Sequence, residues 1–279
     1  MKKNQITRIQ DSHEEYLSKT HYESASTIKL AIESDNDYVW FKKANKGNTK
    51  AQSFGTALHM AILEPEKFDN TYWCLSDSDK EDPSSSWVVK VNKDKKLALV
   101  ELHAGKLLLE EDDWNAIQIV GERLIYDNRF TDFVAPAYKE VSFYDDNFFE
   151  GIAVKCRPDA YFGVMDVDVK STKAADPKGF WYEFLKYKYH IQRAVAVDIM
   201  HKYGIPIEAS CILAVSNTPP FNHEFYRVPD HLIESGRELY QLGLQNIKRI
   251  KAGEIYNGYQ IPGQQMDENG MIILENKWK

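Results

Sequence analysis

The 279-residue sequence has only three cysteines, Cys74, Cys156 and Cys211, far apart and without a CxxC pair. Such spacing points to neither a zinc site nor a disulfide framework, and an iron–sulfur cluster would need a fourth thiolate. A reducing, cytoplasmic setting is the expectation. No stretch approaches 18 apolar residues, which argues against a transmembrane helix. The first residues, MKKNQITRIQDSHEEYLSKT, begin basic but lead into no apolar segment, so they do not read as a secretory signal. Internal repeats and low-complexity tracts are missing. So is an excess of positive charge: the formal net charge is -7, whereas many non-specific nucleic-acid binders are basic. That balance still permits an enzyme of nucleic acids. Positive potential is needed only where phosphates run, and carboxylates gathered round metal ions lower the total.

What is present is ordinary for a globular chain, with 43% hydrophobic and 28% charged residues. Ser24 to Thr27 precede Ile28, Leu30, Ala31 and Ile32 and predict an N-capped short helix. Lys42 to Lys50 reads as a basic loop. Phe54 to Leu63 reads as a buried helix closed by Pro65. Ser76 to Ser86 is a polar surface loop, and Lys90 to Arg123 is helical in two parts. From Lys139 the pattern changes. EVSFY, GIAVKCRPDAYF and VMDVDVKST predict three consecutive strands, the first two a hairpin turning at Asp145-Asp146-Asn147. A helix follows from about Pro177 to Tyr203, broken near Lys188. Ala209 to Ser216 and Phe225 to Val228 predict strands. Asp230 to Gly253 predicts an amphipathic helix capped by Asp230, and an irregular tail follows. The whole reads as an α/β (α+β) chain with one central mixed sheet flanked by helices.

The chemistry concentrates in Arg157-Pro158-Asp159 and, after eight intervening residues, Asp168-Val169-Lys170. Asp168 and Lys170 are two apart on a strand and share a face. If the two strands are neighbours, Asp159 meets Asp168 across them. Two carboxylates so placed repel unless a cation lies between them. Magnesium takes such hard oxygen ligands together with phosphate oxygens, and a lysine beside it offsets phosphate charge. The plain alternative is a solvent-facing edge strand, charged against aggregation, since Asp166, Asp168 and Lys170 alternate with Val167 and Val169.

Gly151 to Met200 resembles the nuclease domain of the RecE, or exonuclease VIII, family of PD-(D/E)xK nucleases. The matching residues are Lys155-Cys156-Arg157-Pro158-Asp159, Asp168-Val169-Lys170-Ser171-Thr172 and Tyr189-His190-Ile191-Gln192. Upstream, Gly55-Thr56-Ala57-Leu58-His59 with Leu63-Glu64-Pro65-Glu66-Lys67-Phe68 matches as well, and Tyr22-x-Ser24-x-Ser26 looks familial. The resemblance touches most of the chain from about residue 20 to 250. It implies a restriction-endonuclease-like core over 136–255, a mainly helical part over 1–135 carrying His59, and a tail over 256–279, in one exonuclease domain spanning 1–279. Asp159 and Asp168 would hold magnesium, with manganese able to substitute, and the Val169 carbonyl, His59 and Glu140 would be further ligands. Lys170 would position the attacking water, while Tyr189 and Gln192 would contact the phosphate or organise that water. Each has a plainer role open to it: His59 as a core histidine, Glu140 as a charged strand opener, Tyr189 as packing, Gln192 as a cap on a carbonyl. Lys155, Arg157, Thr172, Lys173 and Arg193 are expected along the DNA. Phe180 and Trp181 could stack on bases, but core packing is the expectation.

By the same resemblance the chain would degrade double-stranded DNA from its ends, 5′→3′, leaving 3′ single strands for a RecT-type annealing protein. It would work as a homo-oligomer, a tetrameric ring around the DNA, in a bacterial cell of phage or prophage association. An endonuclease of the same fold, or a non-catalytic DNA binder, stays open. Asp168→Ala and Lys170→Ala are expected to abolish hydrolysis with folding near intact.

Overall fold

The computed structural model describes residues 6–44 and 50–259, with 265, 266, 268, 271 and 272. Part of the basic loop expected at Lys42 to Lys50, and most of the tail expected after Tyr256, lie outside the described residues.

The helical first part holds β1 (Ile6–Ile9), α1 (His13–Ser18), α2 (Ala25–Glu33), α3 (Asp35–Lys43), α4 (Lys50–Leu63) and α5 (Pro65–Thr71). It continues with β2 (Tyr72–Cys74), α6 (Lys90–Leu102), β3 (Leu107–Leu109) and α7 (Glu111–Leu124). Next come β4 (Tyr138–Lys139), β5 (Ser142–Phe149), β6 (Ile152–Cys156), β7 (Ala160–Phe162) and β8 (Met165–Thr172). The chain then runs through α8 (Pro177–Lys186), α9 (Tyr189–Tyr203), β9 (Ala209–Ser216), β10 (His223–Val228) and α10 (Asp230–Lys251). The three short strands β1 to β3 carry too little alternation to be read from sequence. Pro229, not Asp230, caps α10, and Asp230 opens its first turn.

The central sheet has the order β10-β9-β8-β7-β4, with β8 and β9 parallel and the remaining pairs antiparallel. β1, β5 and β6 form a separate antiparallel sheet. The run 151–162, expected as one strand, is therefore two strands in two sheets. Pro158 has no N–H to donate to a ladder, so the chain leaves one sheet at Cys156 and enters the other at Ala160. That crossing sets Asp159 at the mouth of β7. The hairpin of β5 and β6 turns at Glu150-Gly151, both with positive φ, rather than at Asp145-Asp146-Asn147.

β9 alternates between two cores. Ile212 and Ala214 join one with α2, α9 and α10 residues such as Ile28, Ile191 and Leu244. Cys211, Leu213 and Val215 join the other with Leu58 and Ile62 of α4 and Ile117 and Val120 of α7. Helices thus cover both faces of the sheet, as expected. α9 runs close under α10 because of Gly236: a Cβ there would stand 2.3 Å from the His190 carbonyl oxygen.

Candidate active site

β8 is a central strand, so its charges do not belong to a solvent-facing edge. Val167 and Val169 enter the core shared with α4 and α7. On the opposite face, Asp166 and Asp168 are both fully buried against α9. The register pairing Ala160 with Val167, continued by one residue, sets Asp159 opposite Asp168, as the spacing suggested. Burying carboxylates on a central strand is costly unless each finds a partner.

Those partners divide the expected site into two groups. In the first, His59 Nε2 stands 2.8 Å from Asp159 Oδ2 and its Nδ1 stands 3.2 Å from Glu140 Oε1. Arg157 Nε lies 2.6 Å from the other Glu140 oxygen. The Val169 N–H donates to Asp159 Oδ2 at 2.6 Å. Glu140 follows β4 with a φ of 55°, and its N–H donates to the Asp159 carbonyl at 3.1 Å. Left-handed backbone at a glutamate costs on the order of 1–3 kcal/mol, and here it accompanies a carboxylate turned to His59. One ligand atom each from His59, Glu140 and Asp159 lies within 4.8 Å of the other two.

The second group is built on Asp168. Lys170 Nζ makes an ion contact with Oδ2 at 2.6 Å, Gln192 Nε2 donates to Oδ1 at 2.8 Å, and Arg193 lies 3.2 Å from Oδ1. Arg193 also pairs with Asp166. Lys170 Nζ sits 5.3 Å from the centre of the Tyr189 ring. The first group, with Lys170, Gln192 and Arg193 of the second, lines a groove of about 1060 Å³ that His13, Tyr16 and Ser24 line as well.

The electrostatics separate the two acids of the first group. Burial, then Asp159, pushes Glu140 up to about 7, while His59 and Arg157 pull the other way. Burial would raise Asp159 too, but His59, Lys170 and the Val169 N–H hold it well below the ordinary carboxylate range. Burial opposes charge on His59, yet Asp159 and Glu140 outweigh it and push it up to about 9. The imidazolium thus supplies the positive charge that two adjacent carboxylates demand. Two carboxylates and an imidazole that converge in this way suit a divalent cation, which would take over the positive charge as His59 gave up a proton, so the residues fit one. Burial and Asp168 push the Tyr189 phenol upward, so it stays protonated and serves as a neutral wall.

Several residues expected along the DNA are placed elsewhere. Arg193 is 1% exposed and taken up by Asp166 and Asp168. Lys155 is buried and donates to the Tyr16 and Lys19 carbonyls, so it ties α1 to β6. Thr172 is buried and donates to Glu183 at 2.5 Å. Lys173 is exposed, and Arg157 turns to Glu140. Asp166 and Lys29 are the residues that sequence reading passed over. Lys29 donates to the Tyr187 carbonyl at 2.7 Å, and burial and then Lys170 push it down to about 7. The sequence signal for Asp166 was its place two before Asp168. Lys29 offered none.

His190 is buried beside these groups, its Nδ1 unpartnered and its ring 5.7 Å from that of Phe184. Burial, then Lys29 and Lys188, push it down to about 4. The unfolded histidine titrates near 6.5. Below that pH the unfolded chain gains a proton that the folded chain refuses, so stability is full above about 6.5 and falls towards 4. We expect about 2 kcal/mol to be lost between pH 7.5 and 5 through this group. Urea midpoints at the two pH values check it. His190→Leu should flatten the difference by that amount, and an unchanged slope would discard the assignment.

The fold and the placing of Asp159, Asp168 and Lys170 on adjoining strands define a nuclease fold of the PD-(D/E)xK type. The chain belongs to the family described as a PDDEXK-like domain of unknown function, DUF3799, whose profile matches residues 24–259. This accords with the RecE-like resemblance of the motifs. Among solved structures, a protein from Eubacterium rectale, provisionally described as an exonuclease, is 17% identical with a TM-score of 0.62, over 90% of both chains. An alkaline exonuclease from Laribacter hongkongensis is 10% identical over 87% of this chain and 99% of its own, with a TM-score of 0.33. A phage-related exonuclease from Haemophilus somnus 129PT is 12% identical over 71% and 94%, also at 0.33. The first likeness supports the fold, and the other two are too loose to argue from. No curated protein matches the chain. Among the described residues no helix is long and apolar enough to cross a membrane.

Proposed function

We propose that the chain is a divalent-metal-dependent exodeoxyribonuclease that degrades double-stranded DNA from its ends, 5′→3′, leaving 3′ single strands for an annealing partner. The observation that carries this reading is the convergence of His59, Glu140 and Asp159 on one point of a groove that Lys170 also lines. Asp159 and Glu140 would hold the cation, with His59 and the Val169 carbonyl as further ligands, and Asp168 would join them by exchanging a contact with Lys170, Gln192 or Arg193 for the metal. Magnesium or manganese bound there would supply an activated water and charge for the leaving oxygen. The protein's own groups do the rest. Lys170 offsets charge on the scissile phosphate. Gln192 and Arg193 hold Asp168 in one orientation. Tyr189 walls off one side of Lys170. In this reading the chain works as one exonuclease domain, assembled as a homo-oligomer round the duplex, in the cytoplasm of a bacterial cell.

A linear duplex labelled separately at its 5′ and 3′ ends tests the proposal, beside a closed circle, with magnesium and with EDTA. Early release of the 5′ label, only from linear DNA and only with magnesium, is the expected result. Cutting of the circle would move the assignment to an endonuclease. No cleavage with either metal would leave a DNA-binding protein.

A further inference from the structure

α8 is apolar on two sides. Phe180 and Phe184 face inward and are buried in the core. On the outer side Lys178, Trp181, Tyr182, Leu185 and Lys186 recur at steps of three and four residues and are all exposed. Trp181 is 44% and Tyr182 59% exposed, so the core packing expected for Trp181 is not found. Its ring lies almost parallel to Phe184, 5.7 Å between centres with 9° between planes, supported on one side. Tyr187, 47% exposed, continues the stripe and stacks on Tyr189 at 5.7 Å. Tyr189 in turn lies beside Lys170. An aromatic track therefore runs from the catalytic lysine out along α8.

The cations on its outer face are Lys178 and Lys186, both exposed. Lys186 Nζ lies 5.2 Å from the centre of the Tyr187 ring, so cation and ring share that end of the track. The acids of the segment keep their charge but are turned to other partners: Glu183 to the Thr172 hydroxyl, and Asp176 to the Lys178 and Gly179 N–H groups that it caps. On a chain with a net charge of -7, a local stripe of lysines and open rings selects a polyanion that presents flat faces. A duplex hides its base faces in the stack, whereas a single strand exposes them. We propose that the outer face of α8, with Tyr187 and Tyr189, is a stacking platform for single-stranded DNA next to the site. The stripe from Lys178 to Lys186 is about 12 Å long, room for about three stacked bases. This rests on the nuclease reading, since it takes a DNA strand as the occupant, but binding without hydrolysis tests it separately.

The experiment is fluorescence anisotropy of a labelled oligothymidylate with the full chain, in EDTA and again in calcium. Trp181→Ala combined with Tyr182→Ala should weaken binding at least about tenfold, and Trp181→Phe, which keeps a ring, should restore most of it. Removing Lys178 and Lys186 should lower the slope of log K against log salt by about 0.7 each. Tyr126→Ala, a change at a ring 85% exposed in the turn that follows α7, should alter nothing. Equal binding by the double variant and wild type, or no binding by wild type in either buffer, overturns the platform. Wild-type self-association that the double variant loses, seen by light scattering, would assign the face to a second copy instead and likewise overturn it. If strand binding behaves as expected but no DNA is hydrolysed, the platform stands and the exonuclease reading falls.

Discussion

Lys170→Ala is expected to slow phosphodiester hydrolysis on the order of 10³-fold while leaving the protein folded. The side chain is only 19% exposed, yet its ammonium meets the groove and contacts Asp168 and the Tyr189 ring. No other lysine shares this position on β8. Removing one preorganised positive group from a transition state that gathers charge costs about 10²–10³ in turnover. Folding is spared because Asp168 keeps Gln192 and Arg193. The loss should fall on kcat rather than on KM, since the charge matters most as the phosphate transforms. Lys170→Arg should recover only part of it, because a planar guanidinium cannot reproduce a point charge in a narrow space. On the proposed ligand set, a rise in melting temperature on adding magnesium should survive in Lys170→Ala and be lost in Asp159→Asn, since only the latter would remove a ligand. Digestion by Lys170→Ala within tenfold of wild type would remove the lysine from the mechanism.

The strand grammar of the site was legible. Alternation on β8 put Asp166, Asp168 and Lys170 on one face, and the spacing to Asp159 set the two motifs on adjoining strands. What alternation could not say is that the charged face is buried as well, because that depends on α9 lying over it. Hence Arg193, read as a DNA contact, is an internal counter-ion. A signal for this did exist: Ile191, Ala194, Val195, Ala196, Val197, Ile199 and Met200 are buried nearly all round the helix, and a charge within such a helix needs a buried partner. Lys155 had no such signal, since its acceptors are carbonyls of α1, more than 130 residues away. The turn of Glu140 towards His59 rests on a positive φ at a glutamate, which no propensity favours. Trp181 failed in the opposite sense. Adjacent positions on a helix point about 100° apart, and on α8, which is covered on one side, Phe180 takes the inner one.

Asp168→Ala is expected to lose stability as well as activity, against the sequence expectation of near-intact folding. Asp168 and Arg193 are both essentially inaccessible, and Arg193 balances its charge between Asp166 and Asp168. Asp166 is itself an uneasy partner: burial pushes it up to about 6, with Arg193 pulling it down, and its Oδ1 has no hydrogen bond. Without Asp168, that one carboxylate is left to hold a buried guanidinium, and Gln192 and Lys170 lose their shared acceptor. Breaking a buried pair by removing one partner costs about 3–5 kcal/mol, a large share of the 5–15 kcal/mol that keeps a domain folded. A urea midpoint lowered in proportion, at unchanged m-value, is the expected reading. Asp168→Asn keeps an oxygen for Gln192 and the side chain's volume, and should fall between the two. It is therefore the variant that separates chemistry from folding: folded, and still unable to hydrolyse DNA. If Asp168→Ala unfolded at the wild-type urea concentration, the Asp166–Arg193–Asp168 network would not be what holds α9 to β8, and the orientation of Lys170 would need another source.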